Sequence, residues 1–227
     1  MLRPIANEVR VSQANRIATP AHNLQPTTIQ RARLRWQSLA GFSKQVARQP
    51  QSTGAIAPSS RLLARQVVQH ANLSKAQTVV ELGPGTGAFT EEILKQLNPE
   101  ALFFALELNR VFVEATRNRC PEARVYHDAA SSLPEHLLKN KRSHADCIIS
   151  SLPWTIFNET EQNNILNAIT NSLKPGGVLV SIVYLGASFR SRGRCFINNL
   201  DVHFSSFSHT HTVWQNLPPA KIYRCIK

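Results

Sequence analysis

The residues best placed to do chemistry sit in one run, Val79-Val80-Glu81-Leu82-Gly83-Pro84-Gly85-Thr86-Gly87-Ala88-Phe89. It reads as a short apolar strand that bends through a glycine-rich turn into a helix. Glycines at alternate positions let the backbone bend sharply and let a ligand approach with no Cβ in the way. The spacing is G-x-G-x-G, without the last glycine of G-x-G-x-x-G, and Glu81 stands just before the turn. A carboxylate there would oppose the pyrophosphate of a dinucleotide. A ligand with a cationic sulfonium and amino group would be drawn to it. The plain alternative is an ordinary tight strand-to-helix turn.

Two further acids close later strands. Glu107, followed by Leu108, lies about 20 residues past the glycines, where a carboxylate accepts hydrogen bonds from both hydroxyls of a ribose. Asp128 follows Tyr126-His127 and is placed to accept from an adenine amino group, with Ala129 beside the ring; alone, the pair reads equally as a helix cap. Three carboxylates at the carboxyl ends of successive strands make one site, because ligands bind at that edge of open α/β sheets. Ser151-Leu152-Pro153-Trp154 follows the fourth strand at the same edge. An aromatic face at Trp154 suits a cation through its ring quadrupole, and carbonyls beside Pro153 can accept from an amine; buried packing is the competing reading of Trp154. Tyr184 ends the fifth strand, either facing an acceptor or packing.

The elements that position these groups follow from periodicity. A helix is expected from Arg61 to about Ala71, capped by Ser59 or Ser60. Strands are expected at Thr78 to Leu82, Ala101 to Leu106, Arg124 to His127, Asp146 to Ser150 and Val178 to Val183. Helices are expected between them at Ala88 to Leu97, Arg110 to Arg119, Pro134 to Leu138 and Glu159 to Ser172. After Tyr184 a polar, Arg-rich stretch leads into β-like segments Phe207 to Trp214 and Lys221 to Ile226, an antiparallel hairpin. The expected fold is therefore α/β: a doubly wound, mostly parallel seven-stranded sheet covered on both faces. Residues 53–227 form that domain. Residues 1–26 read as a basic arm, and residues 27–52 as an amphipathic helix (Thr28 to Arg48, with Trp36 on the apolar side) and a loop.

Charge bounds the partners. The formal net charge is +12 over 227 residues. Before residue 81 the only acid is Glu8, while Arg3, Arg10, Arg16, Arg31, Arg33, Arg35, Lys44, Arg48, Arg61 and Arg65 all lie there. Nucleic acid, an acidic lipid leaflet and an acidic protein all fit that excess. The amphipathic helix with its arginines has the pattern of an interfacial helix on anionic lipid, or of a helix docked on the domain. Arg190, Arg192 and Arg194 can add phosphate contacts beside the active edge or sit on a solvated loop. The longest apolar runs are too short to span a bilayer. Cys120, Cys147, Cys195 and Cys225 form no C-x-x-C pair, and His203, His209 and His211 lack a companion acid, so no metal is assigned and a reduced compartment is expected. The acid-poor start also fits a mitochondrial transit segment, as an alternative to a cytoplasmic protein peripheral on the inner membrane face.

In order, Glu81 to Phe89, Glu107 and Asp128 resemble the cofactor motifs of the class I S-adenosylmethionine-dependent methyltransferases. More narrowly, Thr53-Gly54-Ala55-Ile56-Ala57-Pro58-Ser59-Ser60-Arg61, the glycine turn, Leu152-Pro153-Trp154 and Gln215-Asn216-Leu217-Pro218-Pro219-Ala220 resemble the bacterial phospholipid N-methyltransferase family. The match runs from about residue 40 to the C-terminus. The resemblance implies S-adenosyl-L-methionine as cofactor, methyl transfer to a phosphatidylethanolamine-type amine, and an anionic membrane as working surface. The rival is an RNA adenine N6-methyltransferase; a third reading is an inactive cofactor-binding adaptor. Ser151 stands where amine- and adenine-directed enzymes often carry Asn or Asp. The chain also ends with the expected sheet, leaving no helical RNA-binding domain after it. Both points count against adenine chemistry.

Overall fold

A computed structural model describes residues 60–227. The expectations for residues 1–26, for the helix from Thr28 to Arg48 and for Thr53 to Ser59 fall outside the described residues. The first described helix, α1 (Arg61–Ala71), begins where the Ser60 hydroxyl accepts from the Leu63 N–H. It buries Leu63, Ala64, Val67, Val68 and Ala71, spaced along one face.

Strand and helix then alternate. The strands are β1 (Thr78–Leu82), β2 (Leu102–Glu107), β3 (Val125–His127), β4 (Ala145–Ser150) and β5 (Leu173–Tyr184). Between them lie α2 (Ala88–Gln96), α3 (Arg110–Arg119), α4 (Leu133–Lys139) and α5 (Glu159–Ser172). The chain finishes with α6 (Ser191–His203), β6 (Ser206–His209) and β7 (Ala220–Ile226). The sheet order is β3-β2-β1-β4-β5-β7-β6. The first five strands are parallel, and β7 lies antiparallel between β5 and β6. This is the doubly wound, mostly parallel seven-stranded α/β sheet that the alternation predicts, finished by an antiparallel pair.

All five residues of β1 are buried, as a central strand covered on both faces requires. Strand order reverses between β1 and β4, and ligands bind in the crevice outside the carboxyl ends of strands at such a switch point. Asp146, at the opposite end of β4, fastens the frame. Its carboxylate accepts from the N–H groups of Gln77 and Thr78 and pairs with Lys174. Burial raises its pKa, but the Lys174 and backbone donors outweigh that and hold it below the usual carboxylate range.

Three expectations are corrected. The Arg-rich stretch after Tyr184 is not all loop, since it folds into α6. Only Gly193, Phe196 and Leu200 of α6 are buried, too sparse an apolar stripe to read from spacing. The segment from Phe207 to Trp214 pairs as a strand only to His209, and Trp214 stands exposed beyond it. Finally, β5 starts at Leu173, earlier than Val178, and its register against β4 shifts between Ala145 and Cys147. Among the described residues, no helix is long and apolar enough to cross a membrane.

Candidate active site

The glycine turn is built by close approach. Gly83, Gly85 and Gly87 all have positive φ, at +76°, +59° and +79°, a region L-residues enter only at a cost. A Cβ on Gly83 would sit 3.1 Å from Leu152 Cδ2, so the turn presses on the loop after β4. A Cβ on Gly85 would meet nothing within 4 Å, so this face of the turn is open. The turn is held from behind by α3, where Thr116 Oγ1 donates to the Gly85 carbonyl at 2.8 Å. Thr86 is exposed at its crest.

Glu81 lies beneath this turn with no exposure. Its Oε2 accepts from Thr90 Oγ1 at 2.7 Å, while Oε1 is buried with no hydrogen-bond partner. Burial pushes its carboxyl up to about 8; the Thr90 hydrogen bond lowers it and the nearby Glu107 charge adds to the rise. Sequence spacing places Glu81 beside a cation but does not reveal that its proton is retained near neutrality.

Glu107 ends β2 and bridges two loops. Oε1 accepts from the Asn109 N–H at 2.8 Å and Oε2 from the Gly85 N–H at 3.2 Å. Burial raises its pKa, opposed by those backbone donors. Asn109 caps α3 by accepting from Val111 N–H, so the carboxylate, the cap and the glycine turn are one unit. Leu108 is half-buried and its carbonyl accepts from His127 Nε2.

Asp128 follows β3. Its Oδ1 accepts from the Ala129 N–H and from Ser132 Oγ, and its Oδ2 from His136 Nε2 at 2.9 Å. Burial raises its pKa, but the three donors prevail and hold it below the usual value. His136 is itself buried against Tyr126, ring centres 4.4 Å apart. The acid at the third strand tip therefore has a histidine holding it, a partner eight residues away on α4 that no strand pattern signals.

At the fourth strand tip, Ser151 Oγ donates to the Gly83 carbonyl at 2.9 Å. Leu152 and Pro153 are half-buried beside the turn. Trp154 does not present an open aromatic face, which corrects that expectation. It is 3% exposed, stacks on Phe196 with ring centres 4.1 Å apart, and donates from Nε1 to Ser181 Oγ. The carbonyls of Leu152 and Pro153 already accept from the N–H groups of Trp154 and Ile156. Gln162, fully buried, ties this loop down: its Nε2 donates to the carbonyls of Trp154, Phe157 and Arg192. Tyr184 is half-buried against the core, its backbone paired with Ala220. The structure thus brings Glu81, Glu107, Ser151 and Leu152 around the glycine turn, with Asp128 and Ala129 on the next strand. It gives Trp154 a bracing role. Sequence reasoning missed the local cap at Asn109, and it missed Thr90, Thr116, His136 and Gln162, which act through hydrogen bonds across elements.

Residues 79–177 match the protein family described as a methyltransferase domain. The ornithine lipid N-methyltransferase of Singulisphaera acidiphila is 28% identical over 174 residues, spanning 75% of this chain and 86% of that protein. The ribosomal RNA small subunit methyltransferase A of Dehalococcoides mccartyi is 27% identical over 121 residues, spanning 52% of this chain but 38% of that protein. Among solved structures, the O-methyltransferase TomG of Streptomyces achromogenes, determined with S-adenosylmethionine, superposes with a TM-score of 0.60 at 16% identity. It covers 87% of this chain and 96% of that one.

The cofactor of such a domain is S-adenosyl-L-methionine, and the residues present fit it. The open face at Gly85 is a cradle that a Cβ would fill. The partnerless Glu81 Oε1, buried beneath the turn, becomes an acceptor suited to a cationic ligand once the carboxyl gives up its proton. Glu107 and Asp128 supply carboxylates at the neighbouring strand tips.

Proposed function

We propose that this chain, which carries a class I S-adenosylmethionine-dependent methyltransferase domain, methylates the amine of an ethanolamine-type phospholipid at an anionic membrane surface. The observation that carries the reading is at Ser151. Its hydroxyl is turned onto the Gly83 carbonyl, so no side-chain amide stands at that position to hold the edge of an adenine. Similarity to a lipid N-methyltransferase over three quarters of the chain, against about half for a ribosomal RNA enzyme, supports the same choice.

When bound, the cofactor supplies a methyl group on a positively charged sulfur. The chain's own residues then have three tasks. Glu107 and Asp128, each fixed by its own donors, orient a polar ligand along the strand tips. Glu81 supplies a compensating charge as it gives up its proton. Leu152, pressed against Gly83, and the adjoining Pro153 form an apolar wall that excludes water from the reacting edge. In-line displacement needs a neutral amine nitrogen and tolerates spreading positive charge, which a carboxylate beneath the turn favours.

The test offers labelled cofactor with vesicles containing phosphatidylethanolamine in one arm and structured RNA in the other, with Glu81→Ala as control. Labelled methylated lipid from the wild type alone is the expected result. Label in RNA and none in lipid, from folded protein, would overturn the reading.

A further inference from the structure

We propose that the loops leaving β5 and joining β6 to β7 form a bilayer-docking face beside the reacting edge, with Phe189, Trp214 and Leu217 entering an anionic lipid surface. The inference rests on the lipid reading above and adds the surface that delivers the substrate. Phe189 is 81% exposed, Trp214 67% and Leu217 74%, and Leu185 is exposed beside them. Large apolar side chains gathered at such exposure mark an interaction site.

They come from separate loops but are stitched to one place. Tyr184 pairs with Ala220, the Leu185 N–H donates to the Pro219 carbonyl, and Val213 bridges Ala220 from the other side. These contacts lie at the carboxyl end of β5. Ser150, which ends β4 beside the site, pairs with Ser181, three residues before Tyr184, or about 10 Å along a strand. The apolar tips and the reacting loop therefore share one edge of the sheet.

The charge around the tips selects the occupant. Arg190, Arg192 and Arg194 follow Phe189 directly and are exposed, and Lys221 follows Leu217 by four residues. From Gln162 to Lys227 the only acidic residue is Asp201, near the far end of α6. Exposed aromatic and aliphatic tips with arginines close by in the chain suit an interface of acyl chain and anionic headgroup, where the aromatic ring sits at the boundary and each cation near the surface adds attraction. Gly193 fixes the arrangement, since a Cβ there would lie 2.0 Å from the Ala187 carbonyl oxygen. The start of α6 is thus packed directly on the turn that carries Phe189.

Flotation of the full chain with vesicles of phosphatidylcholine and phosphatidylglycerol, free of ethanolamine lipid, separates docking from methyl transfer. The triple variant Phe189→Ser, Trp214→Ser, Leu217→Ser is expected to lower partitioning by at least about tenfold. The control variant Leu138→Ser, Val202→Ser, exposed elsewhere on the domain, is expected to stay within about twofold of wild type. Unchanged heat of S-adenosylhomocysteine binding in the triple variant shows that the fold and pocket survive. Wild-type partitioning by the triple variant would overturn the proposal even if the protein methylates lipid. Loss of RNA binding in place of vesicle binding would also overturn it, assigning the face to nucleic acid. If the triple variant loses vesicle binding while the wild type methylates no lipid, the docking face stands and the substrate assignment falls.

Discussion

Replacing Glu81 by Gln should flatten a specific part of the protein's pH-stability profile. The Glu81 carboxyl is fully buried and titrates at about 8 in place of 4.5. Because the folded-state value is raised, its contribution to stability is fully present below the unfolded value and is lost as pH rises through the folded one. Between about pH 5 and pH 7 the unfolded chain releases a proton that the folded chain keeps. At about 1.4 kcal/mol per fully linked pH unit, and allowing for partial titration at both ends, the loss is about 2–3 kcal/mol. Glutamine has the shape of the protonated acid and can still accept from Thr90 Oγ1, yet does not titrate. Urea unfolding of cofactor-free wild type and Glu81→Gln across this range gives the test. The stability difference should grow by about 2–3 kcal/mol in favour of the variant, and by about 1 kcal/mol more towards pH 9. A difference that stays constant within about 0.5 kcal/mol would refute the buried-proton argument. The same proton should appear on ligand binding: a cationic cofactor drawn to the Glu81 carboxylate releases up to about one proton near pH 7. Calorimetry in buffers of different ionisation enthalpy reads it directly.

Gly85→Ala should cost about 1 kcal/mol of stability, from the left-handed backbone alone, while weakening cofactor binding at least about tenfold, because the added methyl enters the open cradle; paired unfolding and calorimetry separate the two. Gln162→Ala should destabilise by about 2–4 kcal/mol, since three carbonyls lose their shared donor, measured by chemical denaturation. Burial pushes the Cys120 thiol up to about 11 and the Cys147 and Cys225 thiols up to about 12. Native protein at mild alkaline pH should therefore expose only Cys195 to a thiol reagent, with the other three reacting after unfolding.

Much of the frame is readable from the chain because its signals are local. Continuous apolar runs give β1 and β4, Ser60 caps α1, and alternate glycines announce the turn. The three strand-tip acids are readable for the same reason. What escapes is non-local. Helix α6 exists because Phe196 packs on Trp154, a contact made across 42 positions that no window over Ser191–His203 contains. The same stack turns Trp154 from an expected open face into a brace. His136 and Thr90 are ordinary polar residues in their own segments and gain a role only when folding brings them to Asp128 and Glu81. Trp214 lies past the strand because the ladder with β7 breaks after His209 and resumes only as the single bridge of Val213 to Ala220.

The margins of the described sheet offer little template for pairing between copies of the chain. The outermost strands are the two shortest, β3 with three residues and β6 with four. Unpaired strand borders invite other chains to add on, and brevity blunts that tendency. Docking on a bilayer, as proposed above, would bring many copies side by side, where lateral β-addition would be most damaging. Crowding on a vesicle should then raise local density without seeding fibrils.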